Sequence, residues 1–191
     1  MRIINKKLKI CSFLIIILNL IFNFDAKATD QKIQLNKLFN ELKESKSNLL
    51  AEEIEQKIWK LWSTHPNNEK LTKMLSEGSK LVNKQKLEET IIIFSKVIEL
   101  DPAWAEAWNK RATVFYMVGE FQKSQDDINK VLELEDRHFG ALAGQGLVNI
   151  QLENYEKAIM SYEKAHQIYP TMKSPTIMIE RIKELIKQQS I

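Results

Sequence analysis

Ala105–Asp136, AEAWNKRATVFYMVGEFQKSQDDINKVLELED, is the stretch whose pattern decides the fold. Its apolar positions follow helical spacing on either side of Gly119, so it reads as two amphipathic helices joined by a tight turn. Similar spacing recurs 34 residues upstream and 34 downstream, and Pro102 and Pro170 stand 68 residues apart, two such periods. A fixed period of this length means a stack of like units. Only five Gly and four Pro are present among 191 residues, and no β-branched run has turn signals on both sides. The expected class is therefore all-α.

Counting from the Pro positions gives three units, 71–104, 105–138 and 139–172. At unit positions 4, 8, 11, 20, 24, 27 and 32 the first has Met74, Gly78, Leu81, Thr90, Phe94, Val97 and Pro102. The second has Trp108, Ala112, Phe115, Ser124, Ile128 and Val131, with Asp136 in place of Pro. The third has Leu142, Gly146, Asn149, Ala158, Tyr162, Ala165 and Pro170, so only Asn149 departs from a large apolar residue at position 11. Small residues at 8 and 20 let paired helices approach, large ones at 4, 11 and 24 fill the space between, and Pro at 32 ends the second helix.

This pattern resembles the tetratricopeptide repeat (TPR). The resemblance covers 102 residues and implies a right-handed superhelical array of antiparallel helix pairs. Residues 29–66 are expected to form a further helix pair, either a degenerate repeat or a cap. Its stripes are Leu35, Leu38, Phe39 and Leu42, then Leu50, Ile54, Ile58 and Leu61, with Ser47 as N-cap. Leu42 and Ile54 are bulky where the repeat takes small residues. Residues 173–191 read as one capping helix, with Ser174 as N-cap, Pro175 at the first helical position, and Met178, Ile182, Leu185 and Ile186 facing the array.

The N-terminus carries a different signal. Arg2, Lys6, Lys7 and Lys9 precede an apolar run from Ile10 to Phe24, and Ala26-Lys27-Ala28 offers a small-x-small cleavage site. That order describes a secretory signal peptide over residues 1–28. The run is shorter than the roughly 20 residues that cross a bilayer, so no membrane insertion is expected after cleavage. An uncleaved N-terminal anchor is the alternative. Cys11 is the only cysteine, leaving the mature chain none for a disulfide, a nucleophile or a zinc site. Lys outnumbers Arg 24 to 4, a bias that suggests an AT-rich bacterial genome and hence a periplasmic address.

Residues 1–28 hold five of the 28 basic and one of the 25 acidic residues, which leaves 23 against 24. A nearly neutral mature chain gives no support to nucleic-acid binding. His65, His138 and His166 make no helical i, i+4 pair, and phosphate-loop and nucleophile-elbow motifs are missing. Glu88-Glu89 and Asp126-Asp127 read as solvated faces of second helices. No enzyme, metal or cofactor is expected.

The resemblance implies that first helices line a concave groove through unit positions 2, 5, 9, 12 and 13. Leu75, Ser79, Asn109, Thr113, Tyr116, Ala143, Leu147 and Ile150 are the candidate groove residues for another protein's peptide or helical segment. Among fifteen such positions only Glu106 is charged, and an apolar concavity generally marks an interaction site. Where the carboxylate-clamp subclass of the family has its clamp residues, this chain has Leu75, Ser79, Lys110, Gly140 and Gly144, so no clamp is expected. Homo-oligomers remain possible, with Trp59 and Trp62 of one chain meeting the groove of another. So does occupation of the groove by the chain's own residues 29–64.

Overall fold

The computed structural model describes residues 27–189, and it is helical throughout with no strand among them. Helix α1 occupies 27–44 and α2 Asn48–Trp62, followed by α3 Glu69–Asn83, α4 Leu87–Leu100, α5 Ala105–Met117 and α6 Phe121–Leu134. Then come α7 Phe139–Gln151, α8 Tyr155–Ile168 and α9 Lys173–Gln189. From α3 onward each helix packs on the next, so the three 34-residue units are antiparallel helix pairs in a row. The signal-peptide reading falls almost wholly outside the described residues. No described helix is long and apolar enough to cross a membrane.

Local chemistry sets the boundaries. Ser47 caps α2 by accepting from the Leu50 N–H, and Asn68 does the same for α3 with Leu71. Each pair turns through one left-handed residue at unit position 15: Gln85 (φ 58°), Gly119 (φ 79°) and Glu153 (φ 58°). Around it the Lys86, Glu120 and Asn154 N–H groups donate back to the carbonyls of Leu81, Phe115 and Asn149, closing a Schellman turn. Only the middle unit has glycine where the backbone favours it.

Within a pair, the contact of position 8 with position 24 fixes the spacing. A methyl group placed on Gly78 would meet the Phe94 ring at 2.3 Å, and one on Gly146 would meet the Tyr162 ring at 2.5 Å. Where position 8 is Ala112, the partner is the slimmer Ile128. Position 20 is equally tight: Ser124 is buried and its hydroxyl donates to the Ala112 carbonyl at 2.8 Å. Asn149 is buried too, donating from Nδ2 to the Gln145 carbonyl.

Helix α9 covers the last pair by setting Ile182, with Met178, Ile179 and Ile186 beside it, against Ala158 and Tyr162. It begins at Lys173, so Ser174 and Pro175 lie inside its first turn instead of at the N-cap and first position. Pro is tolerated there because the first four N–H groups of a helix have no internal partner.

Helices α1 and α2 form a hairpin through Leu35, Phe39 and Leu42 against Ala51, Ile54, Ile58 and Trp62. Its core continues into Phe139 and Tyr169, which bracket the third unit, and not into Leu71 or Leu75 of α3. The hairpin therefore lies across the array. Trp104 Nε1 donates to the Trp62 carbonyl, Arg137 reaches Asn36 and covers the Phe39 ring at 4.3 Å, and the Tyr169 hydroxyl bonds Glu55.

Two stability measurements follow from the pair geometry. Gly146→Ala gains helix propensity but overpacks Tyr162, and should lose about 1–2 kcal/mol in urea unfolding. Adding Tyr162→Ile, which copies the Ala112–Ile128 solution, should make the added methyl tolerable, so the two changes together cost less than their separate sum. Glu153→Gly should instead gain up to about 1 kcal/mol by relieving a left-handed residue that carries a side chain.

Candidate functional site

The concave side is lined by the first helices of the units, α3, α5 and α7. Between α5 and α7 lies a cavity of about 230 Å³ walled by Asn109, Thr113, Tyr116, Ala143 and Leu147, with Ile128 at its floor. Five of the eight candidate residues thus converge on one opening. Leu147 is 38% exposed and Met117 beside the groove is exposed as well, while Tyr116 packs its ring against Phe121. The other three lie elsewhere. Leu75 is 2% exposed and belongs to the α3–α4–α5 core, so it presents nothing to a groove. Ile150 packs toward Tyr162 and Ile182, and the Ser79 hydroxyl bonds the Leu75 carbonyl. A single-face reading of the first helices misses this, because Leu75 joins the core cluster of Phe94, Val97 and Val114.

The near end of the groove is closed by the chain itself. Trp59 of α2 sits on the backbone of Gly140, where a Cβ would lie 2.5 Å from its ring, and Lys110 lies over the same ring at 5.8 Å. Trp62 stacks on His138 with ring centroids 3.9 Å apart and planes 7° from parallel. Under these tryptophans is a polar cluster whose carboxylate and imidazole are sealed from solvent. Glu106 is 1% exposed and His138 0%. Glu106 Oε2 meets His138 Nε2 at 3.1 Å and accepts from Asn109 Nδ2 at 3.0 Å, and Lys110 Nζ pairs with Oε1 at 3.2 Å. His138 Nδ1 accepts from the Ala141 N–H, which caps α7 and places the ring proton on Nε2, facing the carboxylate. Burial pushes the Glu106 carboxyl up, but the His138 hydrogen bond and the Lys110 charge outweigh it and hold it below its ordinary range.

Signals for this cluster exist in the sequence. Trp104 and His138 occupy the same unit position, the N-cap of the next first helix, and both receive an α2 residue. Asp127 is a second correction. It is 4% exposed, not solvated, and takes a bidentate contact from Arg111 at 2.8 Å. Burial raises its carboxyl more than Arg111 lowers it. Tyr162, whose hydroxyl has no partner, and Tyr169, beside Glu55, are each pushed up to about 12, chiefly by burial. Among the described residues no three His, Cys, Asp or Glu side chains come together as a metal site.

Residues 140–172 match the family model of the tetratricopeptide repeat. Curated proteins are similar to this chain over a longer span. A TPR repeat-containing protein of Rhizobium etli is 27% identical over 157 residues, covering 82% of this chain and 76% of that protein. Sperm-associated antigen 1 of Homo sapiens is 22% identical over 120 residues, 62% of this chain, but the chain spans only 13% of its length. Among solved structures, the first TPR of Spaghetti (RPAP3), bound to the HSP90 peptide SRMEEVD, superposes with a TM-score of 0.60 at 21% identity, covering 62% of this chain and 94% of that one.

The buried cluster makes stability depend on pH in a definite sense. Because the folded Glu106 carboxyl titrates below its ordinary value of 4.5, its contribution is complete above that pH and is lost as pH falls through the lowered folded value. Asp127 acts in the opposite sense, so the difference between wild type and Glu106→Gln isolates Glu106. Glu106→Gln should cost on the order of 3 kcal/mol at pH 7 in urea unfolding, and the gap should narrow as pH is taken below 4.5.

Proposed function

We propose that this chain is a non-enzymatic protein-interaction scaffold of the bacterial cell envelope. It holds a peptide or helical segment of another protein in the concave opening between α5 and α7. The observation that carries the reading is the cavity itself: Thr113, Tyr116, Ala143 and Leu147 surround an open, uncharged hollow large enough for one bulky apolar side chain. Tyr116 and Leu147 supply apolar contact and Thr113 a hydroxyl at the rim. The carboxylate clamp is absent in this reading. Lys110 is the one basic residue at the matching positions, and its charge is already paired with Glu106 under Trp59. Export by the N-terminal leader and a periplasmic address complete the proposal, supported by the charge order of residues 1–28 and by a relative from a bacterium. Self-association through Trp59 and Trp62 has less behind it, since Trp62 is buried and Trp59 seats on Gly140 of the same chain.

Site-specific photocrosslinking in the native envelope tests the groove. A photoreactive residue at Tyr116 or Leu147 should capture a discrete partner, whereas one at Glu88, exposed on α4, should not. Capture from Glu88 with none from Tyr116 and Leu147 would sink the concave-groove reading.

A further inference from the structure

The repeat symmetry exposes a second site, lined by no residue of the hairpin. At the junction of the first and second units, Arg111 fills the gap between successive helix pairs. Its guanidinium donates from Nε and Nη2 to Asp127 and from Nη1 to Ser95, and it lies against the Trp108 and Phe115 rings. One period later, at the junction of the second and third units, every one of these residues has changed. Gln145 stands for Arg111, Ser161 for Asp127, Asn129 for Ser95 and Asn149 for Phe115. The result is a groove of about 390 Å³ between α6, α7 and α8.

Its electrostatics have shifted in one direction. In the second unit Lys123 pairs with Glu120 and lies over Phe115, and Lys130 pairs with Glu133. Their counterparts Lys157 and Lys164 both line the groove. The residues that would partner them are Asn154, Asn149 and Gln167. Neither lysine has an ion pair among the described residues. Three carboxylates have gone, at the places of Glu120, Asp127 and Glu133, and both lysines have stayed. The amides are tied to one another: Gln125 Nε2 donates to Asn129 Oδ1 at 2.8 Å, and the Ser161 hydroxyl donates to Gln145 Oε1 at 3.0 Å. The Asn129 and Asn154 amide groups keep N–H donors in reserve.

We propose that this groove binds an acidic segment of a partner protein, taking an Asp or Glu side-chain carboxylate between Lys157 and Lys164. The amides of Asn129 and Asn154 then donate to the carboxylate oxygens, and Met160 and Leu152 lie along the aliphatic stem. Charge complementarity selects this occupant. Amides alone accept donors and acceptors equally, but two unpaired ammonium groups with no carboxylate in the lining favour an anion. The site is independent of the concave opening, so the chain can hold two segments at once.

The test is a titration of the isotope-labelled full chain with acetyl-tetraglutamate amide, reading backbone and side-chain amide resonances. Shifts should concentrate on Asn129, Asn154, Lys157 and Lys164, and acetyl-tetraglutamine amide should produce none. Lys157→Glu with Lys164→Glu should weaken binding at least about tenfold, and raised salt should weaken it in the wild type. A second variant, Gln145→Arg with Ser161→Asp, rebuilds the pair that fills the first junction. It should fold, keep the concave-face resonances in place and lose the tetraglutamate shifts. Shifts that map elsewhere, equal binding of the glutamine peptide, or undiminished binding by the refilled variant would each overturn the proposal.

Discussion

The molecule depends on how near two helices of a pair can come, and that distance is set by one contact repeated three times. Gly78 receives Phe94, Ala112 receives Ile128, and Gly146 receives Tyr162. Each is a volume exchange, in which the loss of a methyl on one helix admits a larger group on the other. Interiors pack as densely as crystals, so an exchange of this kind cannot be varied at one end alone. Because the helices of a pair are held so close, their first helices form a continuous inner surface. Every site described above is a gap or a filling in that framework.

The hairpin of α1 and α2 alters what the inner surface can do. An open array would present the full length of α5 and α7. Here the starts of both helices are roofed by two tryptophans, and the roof is made specific by a buried carboxylate that needs His138, Asn109 and Lys110 at once. A buried charge with incomplete partners is expensive, and Trp62 stacked on His138 ties the hairpin to this cluster. The opening that remains runs from Asn109 to Tyr116 on α5 and from Gly140 to Leu147 on α7. Its size suits a side chain better than a long segment laid along the whole concavity.

Much of this is legible in the amino-acid order. The 34-residue period, the small residues at Gly78, Ala112 and Gly146, and the Ser47 cap report directly on local backbone and on contacts between neighbours. Those are the relations that spacing encodes. What spacing does not encode is a contact between unlike elements. Nothing in the stripe of Leu50, Ile54, Ile58 and Leu61 says that the hairpin reaches Phe139 and Tyr169 and passes by α3. Spacing misplaces Leu75 for a related reason, since a groove position and a core position share one face of α3. Asp127 reads as solvated because the partner that buries it, Arg111, sits on a different helix. Its equivalence to Ser161 becomes informative only once the Arg111 contact is in view.

The hairpin also changes how the chain must fold. A row of like units is nearly one-dimensional, with each unit touching only its neighbours, and such arrays fold quickly and can fray from either end. Here Asn36 bonds Arg137 across 101 residues, and Glu55 bonds Tyr169 across 114. Those contacts close a loop around most of the array and tie the first helices to the third unit. A modular stack thereby gains links of high sequence separation, whose loop-closure entropy exceeds that of any contact between neighbouring units.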